Sequence, residues 1–112
     1  MDLTLQQRRD LIALWCHVAW ADGVVKDAER VRIADLFARM GEGAVRPEEL
    51  ERWLVDGPPD VSGQLPESAK RVFQDEAIRI ISADKDLDPA ELSAVRDMLT
   101  LYFGKLEDLV VG

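Results

Sequence analysis

The sequence predicts an all-α fold: a single-domain helical bundle of about five main helices arranged as two pseudo-symmetric helical hairpins. Three observations predict it. Five segments space their apolar residues at helical intervals, and no segment alternates apolar with polar residues over the length of a strand. The first and last thirds of the chain also share one phrase, "AWADGVVKDAE" at residues 19 to 29 and "ISADKDLDPAE" at residues 81 to 91.

The first helix covers about residues 4 to 21. Leu11, Leu14, Trp15, Val18 and Ala19 share one side, with Gln7, Arg9 and Asp10 opposite. Thr4 or Asp2 stands near its start, and Gly23 ends it, because glycine takes a left-handed C-terminal conformation cheaply. The second helix, about 28 to 40, has Val31, Ala34, Leu36, Phe37 and Met40 inward and stops at Gly-Glu-Gly, residues 41 to 43. A short third helix runs from Pro47 to Leu54, since proline is favoured at the first helical position and Glu48 and Glu49 suit the positive end of the helix dipole. Trp53, with Leu50 and Leu54, anchors it to the core.

Residues 56 to 66, "DGPPDVSGQLP", cannot be helical and form a linker between the halves. A fourth helix, about Pro66 to Ser82, buries Val72, Phe73, Ala77, Ile80 and Ile81. A fifth, Pro89 to about Phe103, buries Leu92, Val95, Met98, Leu99 and Tyr102. The internal repeat therefore spans about 5–40 and 66–103 within one domain, 1–112. Asp22 falls on Asp84, Val25 on Leu87, Glu29 on Glu91 and Ile33 on Val95.

At 112 residues the chain can bury roughly two thirds of its unfolded surface without metal or disulfide staples. With 47% hydrophobic and 32% charged residues it has the balance of a globular protein. A net charge of −8 and a pI near 4.6 exclude a basic stripe for nucleic acid and disfavour an anionic membrane surface. The segment "MDLTLQQRRD" lacks the apolar core of a signal peptide, and no apolar run approaches the ~20 residues of a membrane span, so the expectation is a cytoplasmic protein.

Part of the repeated phrase is helix grammar. Asp88-Pro89-Ala90-Glu91 is a capping arrangement, in which Asp88 accepts an orphan amide and Glu91 reaches back to the cap backbone. Lys26 occupies that position in the first copy and has no acceptor, so Asp27 is expected to cap instead. Val25 and Leu87 plug the loops into the core. The aspartates demand more. Leu11, Trp15 and Val18 lead at helical steps to Asp22, and Phe73, Ala77 and Ile80 lead to Asp84. Each carboxylate thus extends an apolar stripe at a helix C-terminus, where the dipole disfavours negative charge. Two readings of the compensation stand: backbone amides of the turning loop, as in an Asx turn, or a bound cation with Glu29 and Glu91 brought close by the loops.

Other constellations carry less. "DKDLDPAELSAV", residues 84 to 95, has proline at the sixth position and valine at the twelfth of a would-be calcium loop, and so is not an EF-hand. Cys16 and His17 are adjacent and point about 100° apart on a helix, which rules out a nucleophile–base pair. One cysteine and one histidine give no zinc site and no hydrolytic triad. An enzyme would have to work with Asp and Glu alone, and the expectation is a non-enzymatic protein. Trp20, away from the main stripe, fills a second contact in the bundle or marks a partner surface.

The stretch "VAWADGVVKDAERVRIADLF", and more weakly "IISADKDLDPAELSAVRDML", resembles the TerB-like family, which includes tellurite-resistance TerB proteins and the N-terminal domain of membrane-bound DnaJ-like co-chaperones. The resemblance covers about residues 5 to 103. It implies an all-helical domain with pseudo-symmetric halves, an association with bacterial stress responses including tellurite resistance, and a cluster of acidic side chains for divalent cations. The positions that carry over are Asp22, Glu29, Asp84 and Glu91. Two positions depart from the pattern: Lys85 replaces the glycine after the second aspartate, and Lys26 places a positive charge in the first loop.

The expectation is therefore a non-enzymatic, stress-associated binding domain that holds a hard divalent cation, Mg²⁺ or Ca²⁺, on Asp22, Glu29, Asp84 and Glu91, because all-carboxylate ligation suits those ions better than zinc or copper. The alternative is a plain protein-interaction module whose acidic pairs are turn and cap residues. Either way the expected partner is another protein, without nucleic acid or direct membrane insertion, and the chain is a monomer or homodimer.

Overall fold

In a computed structural model the protein is all-helical. The structure describes residues 3–21, 23–61, 65–84 and 89–103, Asp84 by its backbone alone. Helix α1 is Leu5–Ala19, α2 Asp27–Leu36, α3 Pro47–Asp56, α4 Glu67–Ile81 and α5 Pro89–Tyr102. A π-helical turn, Phe37–Gly41, continues α2, and a 3₁₀ turn, Ser82–Asp84, continues α4. No strand occurs among the described residues, and no helix there is long and apolar enough to cross a membrane.

The starts and stops follow local chemistry. Thr4 Oγ1 accepts the Gln7 amide at 3.0 Å while Gln7 Oε1 accepts the Thr4 amide at 3.0 Å, a complete capping box on α1. Gly23, at φ +88°, turns the chain beyond α1 in a conformation that costs a side-chain-bearing residue energy. Pro47 opens α3 at the first helical position. The expected caps Asp2 and Asp88, and the plug Leu87, lie outside the described residues.

Sequence periodicity gives α1 one buried stripe. The structure instead buries every residue from Leu11 to Cys16, along with Val18 and Ala19. The reason lies in "LIALWC", which has no charged or amide side chain to place against water. Such a helix must be covered on all sides. Helices α2, α3, α4 and α5 and the π-turn all pack on α1, with α4 also contacting α2 and α5. Trp15 stacks on Phe73 at 6.4 Å between ring centroids, and Phe73 stacks on Phe103 at 5.3 Å. The Trp15 indole N–H donates to the Phe73 carbonyl at 3.2 Å, so the buried ring has its polar atom satisfied.

The linker is held from both ends. Val61 and Leu65 are buried, and the Leu65 amide donates to the Tyr102 carbonyl at 3.1 Å, tying the linker to the end of α5. Trp53 is buried as expected. Trp20 is half-buried, its indole N–H donating to the Trp53 carbonyl at 2.9 Å, which makes it part of the α1–α3 contact.

Helix α3 is also docked by an ion pair. Arg9 grips Glu49 with two hydrogen bonds, Nη1 to Oε1 at 3.0 Å and Nη2 to Oε2 at 2.8 Å, and its guanidinium lies 5.1 Å from the Trp53 ring centroid. Glu49 Oε1 also accepts the Arg46 amide at 3.1 Å, closing the N-terminus of α3. A second brace joins α4 to the π-turn: Glu76 in the buried face of α4 meets Arg79 at 2.8 Å and Arg39 at 3.6 Å. Its position between Phe73 and Ile80 was the available sign of that burial.

Two predictions follow from this packing. A Cβ on Gly41 would lie 2.6 Å from Phe37 Cδ1 and 2.8 Å from Ile12 Cδ1, so Gly41→Ala should destabilise by about 1–3 kcal/mol in a urea melt. An unchanged melt would mean the π-turn stands off α1. The Glu49 carboxyl is held down at about 2 from its ordinary 4.5, chiefly by the Arg9 hydrogen bonds and then by the Arg46 amide. Because the folded value lies below the unfolded one, the stabilisation is complete above about pH 4.5 and is lost as pH falls through about 2. Glu49→Gln should cost about 1 kcal/mol at neutral pH, and its gap from the wild type should close across that window. A gap independent of pH would remove the ion pair as its cause.

Candidate functional site

Three helices, α2, α3 and α5, carry a glutamate as their third residue: Glu29, Glu49 and Glu91. At that position a carboxylate can return to the N-cap amide and lies in the positive field of the helix start. Glu49 shows what a structurally satisfied member looks like, partly exposed and with both oxygens on Arg9. The other two differ. Glu29 and Glu91 are each 0% exposed.

Their burial overturns two assignments made from periodicity. On α2 the inward positions are Glu29, Ile33 and Leu36, spaced by four and three residues, while Phe37 and Met40 are half-buried against the core. Val31 lies two residues from both Glu29 and Ile33, about 200° around the helix, and is 70% exposed; Ala34 is exposed as well. On α5 the inward line is Glu91 and Val95, followed by half-buried Met98 and Tyr102, and Leu92 is 39% exposed. Residues 29, 33 and 36 correspond to 91, 95 and 98 under the same shift that relates the two copies of the phrase. Counting only apolar residues as inward misplaces both faces, because the leading inward residue of each helix is a carboxylate.

Lys26 stands beside both glutamates. It is the N-cap of α2, with Asp27 as the exposed first helical residue, so the expected Asp27 cap does not form. Glu29 Oε1 accepts the Lys26 amide at 3.0 Å and closes the helix start from the third position, as Glu49 does on α3. The Lys26 ammonium lies 3.9 Å from Glu91 Oε1. Glu29 Oε2, by contrast, is buried with no hydrogen-bond partner among the described residues. A buried carboxylate oxygen in that position is costly unless something compensates it.

Of the four expected ligands, the structure therefore places Glu29 on the backbone amide of Lys26 and Glu91 near its ammonium. Asp22 and the side chain of Asp84 lie outside the described residues. Among the described residues, no three His, Cys, Asp or Glu side chains come together as a metal-holding group. Val25, half-buried against the core, plugs the first loop as expected.

The neighbouring reactive groups are otherwise engaged. The Cys16 thiol is fully buried, and burial pushes it up to about 12, so it remains protonated at neutral pH. His17 Nε2–H donates to the Pro59 carbonyl at 2.8 Å, pinning the linker to α1.

The inversion of the α2 face has a direct test. Ile33→Ala should cost about 2–5 kcal/mol by opening a cavity in the core. Val31→Ala should stay within about 0.5 kcal/mol of the wild type. Equal losses in denaturant melts would return Val31 to the core and with it turn Glu29 out.

No protein-family model, no curated protein and no solved structure matches this chain.

Proposed function

We propose that the protein is a non-enzymatic, cytoplasmic binding module of TerB-like design that holds a hard divalent cation, Mg²⁺ or Ca²⁺, through Glu29 and Glu91, with Asp22 and Asp84 completing the set. The observation that carries this reading is the fully buried Glu29 carboxylate, whose Oε1 takes the Lys26 amide and whose Oε2 has no hydrogen-bond partner among the described residues, on the helix whose N-cap Lys26 sends its ammonium to buried Glu91. Oxygen donors from carboxylates fit Mg²⁺ and Ca²⁺ and do not favour zinc or copper. A bound dication would neutralise buried negative charge and join the starts of α2 and α5. The protonated Cys16 thiol and the His17–Pro59 hydrogen bond support a binding role over a catalytic one. The resemblance of "VAWADGVVKDAERVRIADLF" to TerB-like domains supports a stress-associated role in bacteria, with tellurite resistance among the candidates.

A second reading has its own observation. Glu29 Oε1 already serves as a helix cap, and Val24 and Val31 are 61% and 70% exposed, the latter beside a cleft lined by Ala28, Arg32, Asp35 and Ala83. In this reading the buried carboxylates are structural and the exposed valines meet a protein partner.

A melt separates the two. Protein stripped with chelator should gain melting temperature in a concentration-dependent way on adding Ca²⁺ or Mg²⁺, reflecting a stabilisation of about 2.7 kcal/mol at about a hundredfold excess over Kd. Glu29→Gln combined with Glu91→Gln should abolish the gain. If millimolar amounts of both ions leave the melt unchanged, the carboxylates are cap residues and the interaction module stands.

A further inference from the structure

We propose that the groove between α1 and α5 docks a partner protein through one arginine side chain, flanked by apolar residues of the same segment. This does not rest on the cation reading of Glu29 and Glu91, and it uses different residues from the exposed valines Val24 and Val31.

The groove encloses about 240 Å³. Leu14 of α1 and Met98 of α5 give it an apolar lining, to which the rings of His17 and Tyr102 add. Asp60 of the linker and Asp97 of α5 bring carboxylates to the same groove. Both aspartates are exposed, and neither has a hydrogen bond or ion pair among the described residues. Helical spacing explains this for Asp97, whose neighbours at steps of three and four are Ser93, Ala94, Thr100 and Leu101, none of them basic.

The fold holds both residues in place. Asp97 lies within α5, several residues from either end. Asp60 stands between two anchored neighbours: Pro59, whose carbonyl takes the His17 Nε2–H at 2.8 Å, and buried Val61. A linker pinned on either side offers its carboxylate from a fixed point, which lowers the ordering cost of binding.

These features select the occupant. The groove is smaller than the ~300–1,000 Å³ of small-molecule sites and suits a single long side chain. Two carboxylates without counter-charges call for a cation, and the net charge of −8 adds a long-range pull on a basic segment. Of the two basic side chains, arginine fits better. Its guanidinium is planar, weakly hydrated and forked, so it pairs with carboxylates and stacks on an aromatic ring such as that of Tyr102. Its methylene stem packs on Leu14 and Met98, where the unbranched thioether adapts to the chain laid against it. A lysine ammonium is a point charge that holds its water.

The test titrates the isotope-labelled whole chain, kept in chelator, with a short capped peptide in which leucines flank one arginine. Versions with lysine or norleucine in that place serve as comparisons. Amide resonance shifts should saturate and centre on His17, Asp60, Asp97 and Met98. Asp60→Asn and Asp97→Asn should each raise Kd about two- to fivefold, the range of an exposed charge pair. Asp75→Asn, which removes one exposed charge from α4 outside the groove, should leave Kd unchanged. The lysine peptide should bind more weakly than the arginine peptide, and the norleucine peptide not at all. Equal weakening by Asp75→Asn overturns the proposal, because net charge alone then explains the attraction. So do equal binding of the lysine peptide and an absence of shifts at millimolar arginine peptide. Binding that appears only once residues 105–112 are deleted assigns the groove to the chain's own segment in place of a partner. A concentration-dependent dimer with shifts at the same residues assigns it to a second copy, and equally removes the partner.

Discussion

The structure depends on one constraint: the middle of α1 is apolar on every side and has to be covered everywhere. Leu11 to Cys16 bring no charged or amide side chain, and together with Val18 and Ala19 they are sealed from water. No single neighbour can cover a helix of that kind, so α2, α3, α4, α5 and the π-turn are each arranged against it. Features that look unrelated serve the same enclosure. Gly41 lacks a side chain where the π-turn meets Ile12, Arg9 draws α3 in through Glu49 and Trp53, and Trp15, Phe73 and Phe103 stack through the centre.

Around that helix the chain uses one local device three times, a glutamate in the third position of a helix, and gives it different surroundings. On α3 the carboxylate is partly exposed and held by Arg9, so its cation is a permanent part of the packing. On α2 and α5 the carboxylates are buried, and the cation near Glu91 is a lysine at 3.9 Å with a partly exposed side chain. The same third-position glutamate thus makes a partly exposed docking point on α3 and a buried carboxylate on α2 and α5. Burial and the identity of the nearby cation make the difference, since charge in a dry environment interacts far more strongly than charge at the surface.

The helices themselves were largely legible. Apolar residues at steps of three and four, Pro47 and Pro89 at helix starts and the glycines near residues 23 and 41 mark their limits closely, because propensity and capping act within a few residues of the chain. The faces of α2 and α5 were less legible. Val31 and Leu92 are good apolar candidates by composition, yet Glu29 and Glu91 take the inward positions. A carboxylate can be buried only where a partner meets it, and the Lys26–Glu91 partner is supplied across the fold.

The sequence by itself determined that this protein is helical, where its helices begin and end, and which carboxylates recur in its two related phrases. Those properties are set by local backbone preferences and by periodicity, and both can be read along the chain. Tertiary structure decided that α1 is central, that Glu29 and Glu91 point inward while Val31 points out, and that Lys26 joins the two helix starts. These are outcomes of competition among faces. Five elements cover one apolar helix, and the orientation of each depends on what the others leave exposed and on which buried charges find a counterpart.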